Sequence, residues 1–143
     1  ELELECVDLS VGDGGLGTFD RVLVDAPCSG LGTVHRRPEI LLRLREKQLR
    51  ELGELQRKIL TNAASLVRPG GELTYAVCSF ARREGPAVLA ACNLDDFEVM
   101  PIETIDASRL PVDTELAADD DGWLRLGPWC GTDGYQVIKL RRK

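Results

Sequence analysis

At 143 residues, the chain has the length of one domain and is long enough to bury a hydrophobic core. With 43% hydrophobic and 29% charged residues and a net charge of −6, it has the composition of an ordinary globular protein. No apolar run approaches membrane-spanning length, and the five cysteines include no closely spaced pair, so we expect no membrane partner and no metal. The odd number of cysteines favours reduced thiols and a cytoplasmic location.

The charge is unevenly distributed along the chain. Residues 1–32 carry one basic and seven acidic side chains, and residues 84–143 carry six basic and twelve acidic ones. Residues 33–83 between them carry eleven basic and five acidic side chains, an excess of +6. Such a basic segment is typical of a phosphate-binding surface, although alternation with Glu along a helix also fits a solvated helix face.

The first segment alternates acidic and apolar residues over positions 1–8 (ELELECVD), which predicts a half-exposed strand ending at Asp8. A glycine-rich turn containing Asp13 follows. Residues 22–24 then form an apolar run that predicts a strand buried on both faces, as in a parallel sheet. Asp25, Pro27 and Cys28 come directly after it, where open α/β sheets bind their ligands.

A second strand of the same form is predicted after a long helix. Apolar residues recur at three- and four-residue steps from 40 to 67, with Pro38 suited to the first turn, and RPGG at 68–71 ends the pattern. Residues 72–79 (ELTYAVCS) predict a strand that ends in Cys78. The strand, helix and strand form one βαβ unit, so both cysteines are expected at the same edge of a parallel sheet.

The rest of the chain predicts smaller elements. We expect a short helix near 86–93, a strand at 97–102, a long exposed loop over 103–122, and an antiparallel strand pair at 123–126 and 135–140. Tyr75 is expected in the core. Cys6, Cys92 and Cys130 are expected to be small packing residues rather than reactive thiols.

Four motifs together resemble the Sun/Nop family of S-adenosylmethionine-dependent RNA cytosine-C5 methyltransferases. They are DAPCSG (25–30), LQRKIL (55–60), RPGGELTYAVCS (68–79) and GTDGYQVIKLRR (131–142). The resemblance implies a doubly wound, mostly parallel Rossmann-like α/β sheet with an antiparallel pair at the C-terminus. That family's glycine-rich cofactor loop lies upstream of these motifs, so we expect residues 1–143 to be the C-terminal part of a catalytic domain and to be inactive alone.

The resemblance also implies a role for individual residues. Cys78 corresponds to the nucleophile that adds to the cytosine, Cys28 to the residue that assists its release, and Asp25 to a carboxylate contacting base and cofactor. The S-adenosylmethionine contacts would be Asp8, Asp25 and Pro27, with Asp13 as a competing candidate for the adenine contact. The substrate would be RNA, most commonly ribosomal RNA in this family, contacted by His35, Arg36 and Arg37.

Two other functions compete with this interpretation. A non-catalytic RNA-binding or assembly module on a degraded methyltransferase fold would keep the basic segment but not need both cysteines and Asp25. A cysteine hydrolase would need a histidine base, and the only histidine, His35, does not follow a strand. The chain departs from the family where a Pro-Glu-Glu-Asn run is usual, since residues 82–85 read RREG and retain only Glu84.

Overall fold

The computed structural model describes residues 3–102, 118–127 and 132–143, which form an α/β structure. From residue 19 onward the elements follow the predicted order, except that the helix predicted at 40–67 is two helices, and most of the predicted loop at 103–122 lies outside the described ranges. In chain order they are β1 (Phe19–Asp25), α1 (Glu39–Arg43), α2 (Glu46–Ser65), β2 (Val67–Val77), α3 (Pro86–Ala91), β3 (Phe97–Met100), β4 (Leu124–Leu126) and β5 (Tyr135–Arg142).

The described strands form one sheet with the order β1-β2-β5-β3, and β4 pairs with β5. β1 and β2 are parallel, as predicted, whereas β5 is antiparallel to β2, β3 and β4. β5 is therefore the one strand of the described sheet that runs against the others, and the predicted antiparallel pair at the C-terminus is confirmed. β1 lies at the edge of this sheet.

One face of the sheet carries the core. Leu73, Tyr75 and Val77 of β2 are fully buried, and so are Leu60 and Ala63 on α2. The predicted core position of Tyr75 is thus confirmed. On the other face, cross-strand neighbours are charged or half-exposed, as where Glu72 pairs with Lys139 at 3.0 Å and with Arg21 at 3.3 Å.

The prediction that β1 is buried on both faces is wrong. Val24 is 6% exposed, but its neighbour Leu23 points to the opposite face and is 70% exposed. In the described chain, α2 packs on the face of β1 and β2 that holds the core. The apolar run could not reveal this, because Val, Leu and Val would be equally suited to a strand covered on both sides.

The strand predicted at residues 1–8 is also wrong for its described part. Residues 3–7 form no regular structure, and Asp8 begins a turn in which its carboxylate accepts a hydrogen bond from the Ser10 amide (2.9 Å). No described strand pairs with this segment, and the alternating pattern alone cannot supply one. The segment is instead tied to α2 by Asn62, whose Nδ2 donates to the Leu9 carbonyl at 2.8 Å.

The single helix predicted at 40–67 is two helices. Leu44 and Arg45 between them adopt extended backbone conformations, and α2 begins with a hydrogen bond from the Arg45 amide to Gln48 Oε1 at 2.8 Å. No glycine or proline marks this break, so the periodic leucines continue across it. The break brings α1 over the loop that follows β1, which matters for the site.

Candidate active site

The two cysteines predicted to share one edge of the sheet lie side by side. Asp25, the last residue of β1, is paired in register with Ala76 of β2, so the segments leaving the two parallel strands are neighbours. Cys28 and Cys78 lie on these segments, and their Sγ atoms are 2.9 Å apart, at hydrogen-bond distance for thiols. The parallel pairing thus brings together two residues fifty positions apart in the sequence.

A cavity of about 570 Å³ opens at this edge of the sheet. Its lining includes both thiols, Asp25 and Pro27, and also the side chains of Arg37 and Arg43. Its size is within the range of pockets that hold cofactors and small molecules. A carboxylate, two nucleophilic sulfur atoms and two cations therefore surround one space at the carboxyl ends of parallel strands.

Burial determines the electrostatic environment of the Cys28 thiol. Cys28 is half-buried, and burial, followed by the hydrogen bond with Cys78, raises its pKa above the ordinary value of 9.0. Cys28 therefore keeps its proton at neutral pH. Either sulfur can donate the hydrogen bond that joins the two thiols.

The raised pKa of Cys28 gives a testable pH dependence. Iodoacetamide reacts with thiolates, so the rate at which it alkylates Cys28 reports how much of this thiol is ionised. We expect that rate, measured by mass spectrometry of the full-length protein, to keep increasing above pH 9.0. The exposed Cys6 serves as the internal reference. Because the folded state holds the proton more tightly than the unfolded state does, stability linked to this thiol is complete below pH 9.0 and is lost as the pH rises further. A Cys28 rate that levels off below pH 9 would contradict the proposed environment.

A buried carboxylate connects the loops that carry the two thiols. Glu84 is 0% exposed, and its oxygens accept hydrogen bonds from Ser29 and Ser79, the residues that follow Cys28 and Cys78. Gln56 of α2 is also fully buried, and its Nε2 donates both to Glu84 Oε1 (3.2 Å) and to the Pro27 carbonyl (2.8 Å). The motifs LQRKIL (55–60) and RPGGELTYAVCS (68–79) thus both contact DAPCSG (25–30) next to the thiols.

The fourth motif contacts the loop that follows Cys28. The Gly134 amide donates to the Gly32 carbonyl at 2.7 Å, and the Gly32 amide donates to the Cys78 carbonyl at 3.0 Å. A Cβ on Gly32 would lie 1.9 Å from the Gly134 carbonyl oxygen, so only glycine permits this approach of two backbones. The same motif supplies Asp133, which forms an ion pair with Arg36.

The structure separates the predicted RNA contacts into two groups. Arg37 lines the cavity, whereas Arg36 is engaged by Asp133 and His35 Nδ1 lies 3.5 Å from the same carboxylate. The ion pair with Asp133 raises the pKa of Arg36, which keeps its charge. An RNA contact by His35 or Arg36 stays a prediction, and it would have to be made from a side chain that Asp133 already holds.

The predicted cofactor contacts are likewise separated. Asp25 and Pro27 line the cavity, whereas Asp8 is exposed in its own turn and does not. The Ser10 hydroxyl and amide lower the pKa of Asp8. Asp13 is an exposed turn residue whose carboxylate accepts from the Gly15 amide at 3.0 Å. Neither aspartate is among the residues that line the cavity with Asp25.

Sequence reasoning missed Arg43, Gln56 and Glu84. Arg43 reaches the cavity because the chain breaks after α1, and nothing in the helical pattern marks that break. Gln56 lies among the apolar residues that form the buried face of α2. A polar residue at such a position in the sequence pattern indicates a buried polar group. Glu84 was noticed only as the residue retained where the chain departs from the family. Of the remaining cysteines, Cys6 is exposed, Cys92 is half-buried, and Cys130 lies outside the described residues.

The described ranges hold neither a metal-binding cluster nor a membrane-spanning helix. No cluster of three or more His, Cys, Asp or Glu side chains there could hold a metal ion. No helix in those ranges is both long enough and apolar enough to span a membrane.

Comparison with known proteins identifies the family. The sequence model of the 16S rRNA methyltransferases RsmB/F matches residues 1–141. The chain is 34% identical over 125 residues to the probable ribosomal RNA small subunit methyltransferase B of Bacillus subtilis, and 34% identical over 122 residues to methyltransferase B of Shewanella oneidensis. These alignments cover 87% and 85% of this chain but only 28% and 27% of the relatives.

A solved structure shares the fold. A methyltransferase homologue from Pyrococcus horikoshii superimposes with a TM-score of 0.71 at 28% identity, covering 96% of this chain and 43% of that one. The arrangement of strands described above therefore also occurs in that larger protein. On the family match, which covers nearly all its residues, the chain belongs to the RsmB/F family of rRNA methyltransferases.

Proposed function

We propose that the chain is the C-terminal part of the catalytic domain of an enzyme that methylates carbon 5 of a cytosine in RNA. The methyl donor is S-adenosylmethionine, and the substrate is ribosomal RNA of the small subunit, as the names of the relatives indicate. We place the enzyme in the cytoplasm with that substrate. The observation that carries the proposal is the pair of thiols, 2.9 Å apart, beside Asp25 in one cavity.

Cys78 is the nucleophile in this proposal. Carbon 5 of cytosine is a poor nucleophile until a thiolate adds at carbon 6, which makes the ring an enamine. The new bond joins Cys78 Sγ to carbon 6, and the electron density of the former double bond moves toward carbon 5 and ring nitrogen 3. In this role Cys78 Sγ would accept a hydrogen bond from the neutral Cys28 thiol 2.9 Å away, and such a bond stabilises a thiolate.

Cys28 assists the last step. A water molecule takes the carbon 5 proton, and the electron pair of that bond re-forms the double bond between carbons 5 and 6. The bond between carbon 6 and Cys78 Sγ breaks at the same time, and its electron pair goes to the sulfur. A Cys28 thiol at 2.9 Å, whose pKa is raised, can donate its proton toward that departing sulfur. Loss of this donor slows release more than addition, because Cys78 Sγ takes up a proton only in the release step.

Asp25 acts on the base. Its carboxyl group lies at the end of β1 and lines the cavity with both sulfurs. A carboxyl at this position can hydrogen-bond ring nitrogen 3 and the exocyclic amine as charge develops there, which lowers the barrier to addition. The carboxylate, rather than a cation, also suits the amine, which is a donor only.

The cavity fits S-adenosylmethionine on its chemistry. Asp25 and Pro27 present a carboxylate and an apolar ring to a space of about 570 Å³, which suits a cationic, partly apolar ligand. When bound, the cofactor supplies an electrophilic methyl group. Asp25 and Pro27 are the residues of the cavity that would hold it. Asp8 does not line the cavity, so it would contact the cofactor only if the turn that contains it lay closer to the cavity.

The RNA backbone would cross the cavity rim at Arg37 and Arg43. Both side chains are more than half exposed, and each lies 3.5 Å from the Glu39 carboxylate, which is itself half exposed. Such solvent-screened pairs are weak and are readily exchanged for a phosphate. The target base would then enter between the two guanidinium groups and the thiols.

Replacing both cations should change the salt dependence of RNA binding. We expect Arg37→Ala/Arg43→Ala in the full-length protein to reduce the slope of log affinity against log salt by roughly one to two, because two phosphate contacts and their displaced counterions are lost. Arg57→Ala on α2 is the matched control, since its partner Glu54 lies on the same helix. An unchanged slope in filter-binding titrations would exclude this path for the RNA.

The proposed function is tested by methyl transfer. The full-length protein is incubated with labelled S-adenosylmethionine and unmodified small-subunit ribosomal RNA, and the nucleosides are then separated. We expect the label in 5-methylcytosine. If the protein binds the RNA but transfers no label to it, the result would instead support the non-catalytic RNA-binding alternative.

A further inference from the structure

Glu84 is a fully buried carboxylate to which the proposed mechanism gives no step. It closes the short 3₁₀ turn Arg82–Glu84 after β2, and its side chain is 0% exposed. A carboxylate buried in this way must be matched by hydrogen-bond donors, or it destabilises the folded state. The identity of those donors indicates what Glu84 is for.

Its two oxygens accept four hydrogen bonds from three residues. Oε1 accepts from the Ser29 amide at 2.7 Å and from Gln56 Nε2 at 3.2 Å. Oε2 accepts from the hydroxyl groups of Ser29 and Ser79, both at 2.6 Å. All four partners are donors, so both side-chain oxygens of Glu84 act as acceptors, and hydrogen bonds to a carboxylate are stronger than those between neutral groups.

The donors are the immediate neighbours of the two thiols. Ser29 follows Cys28 and Ser79 follows Cys78, and both hydroxyl groups donate to the same oxygen of Glu84. The serines are fifty positions apart in the sequence, and their hydroxyls lie 3.2 Å from each other. A single oxygen atom therefore fixes the distance between the loops that carry the nucleophile and its proton donor.

Glu84 is itself held in place. The Tyr75 hydroxyl, from inside β2, donates to the Glu84 carbonyl at 2.7 Å. Gln136 of β5 donates from Nε2 to the Ser79 carbonyl at 2.6 Å, so the loop after Cys78 is fixed from both sides. All four residues are buried. The carboxylate is consequently a rigid reference point rather than a mobile side chain.

We propose that Glu84 is a positioning residue that holds the Cys28 and Cys78 sulfurs at their reactive separation. This inference rests on the proposed function, in which one thiol must reach the sulfur of the other. Glu84 touches neither the base nor the reacting sulfurs and acts through Ser29 and Ser79. Its contribution is the geometry of the pair, which a substitution should change without removing either thiol.

The test measures the separation of the thiols independently of methyl transfer. Phenylarsine oxide binds two close thiols, forming two arsenic–sulfur bonds with release of one water, and it binds single thiols far more weakly. Its apparent affinity is measured in the full-length wild type and in Glu84→Ala, Glu84→Gln and Ser79→Ala. Cys28→Ala and Cys78→Ala establish that the probe reports this pair. Glu54→Ala, an exposed carboxylate on α2, is the matched control.

We expect Glu84→Ala to lower the apparent affinity by about tenfold, which corresponds to the loss of one charge-assisted hydrogen bond that pre-orders the pair. Glu84→Gln should lie between Glu84→Ala and the wild type, because its amide can replace Oε2 and donate to the serine hydroxyls. Glu54→Ala should bind as the wild type does. In methyl transfer, Glu84→Ala should lower kcat and leave the KM for RNA near its wild-type value.

Wild-type arsenical affinity in folded Glu84→Ala would overturn the proposal. If Glu84→Ala does not fold, Ser79→Ala decides, because it removes one of the two hydroxyls from Oε2 and leaves the carboxylate three donors. Wild-type affinity in folded Ser79→Ala would then overturn it. A wild type that binds the arsenical but methylates no RNA would refute the proposed function, and the role of Glu84 would still be decided by arsenical binding.

Discussion

Cys78→Ala should abolish methyl transfer, and Cys28→Ala should accumulate a covalent protein–RNA complex. Without the Cys78 sulfur no adduct forms at carbon 6, and we expect kcat to fall by about 10⁴-fold or more, as on removal of other catalytic nucleophiles. Without Cys28, addition still takes place, but the departing sulfur lacks the proton donor 2.9 Å away. The adduct should therefore survive denaturing gel electrophoresis.

The matched control is Cys92→Ala, which removes a half-buried thiol that contacts Thr61 and lies outside the cavity. It should methylate RNA at nearly the wild-type rate and form no gel-stable complex. If Cys78→Ala gives the stable complex and Cys28→Ala gives none, the roles of the two thiols are reversed.

Gly32→Ala should destabilise the protein by about 3 kcal/mol, at the upper end of the cost of overpacking a well-packed interior. The added Cβ would lie 1.9 Å from the Gly134 carbonyl oxygen and 2.6 Å from its carbonyl carbon. Both contacts are with backbone, which cannot rotate away as a side chain can. The hydrogen bonds of Gly32 to Cys78 and Gly134 would be displaced together, so activity should fall with stability.

Gly12→Ala provides the comparison for that substitution. Gly12 has no atom within 4 Å of the position of an added Cβ, so alanine there should leave the free energy of unfolding almost unchanged. Urea denaturation of the full-length variants, with tryptophan fluorescence as the signal, measures both. A loss of less than about 1 kcal/mol in Gly32→Ala would contradict the close approach of the two loops.

Much of the site was predictable because it depends on strand order and on residues at strand ends. Two apolar strands joined by a helix imply a parallel pair, and a cysteine after each then implies two neighbouring thiols. The antiparallel C-terminal pair was equally predictable, since its strands flank a glycine-containing turn. These inferences needed only periodicity and the residues that terminate each strand.

What could not be predicted depends on contacts that have no local pattern. The break between α1 and α2 has no glycine or proline, although it carries Arg43 to the cavity. The pairing of Arg36 with Asp133 joins residues ninety-seven positions apart. The role of Glu84 similarly requires knowing that Ser29 and Ser79 meet. For residues 1–8, alternation suggested a strand, but a strand forms only where a neighbour supplies its hydrogen bonds.

The central claim is that Cys78 becomes bonded to the target cytosine. The most direct measurement uses small-subunit ribosomal RNA containing 5-fluorocytidine, in which no proton can leave carbon 5 after methylation, so the adduct cannot be resolved. The wild-type full-length protein is incubated with this RNA and S-adenosylmethionine, digested with protease and nuclease, and analysed by mass spectrometry. We predict a nucleotide attached to the peptide that contains Cys78. A nucleotide attached at Cys28, or no attachment in a preparation that methylates ordinary RNA, would contradict the account.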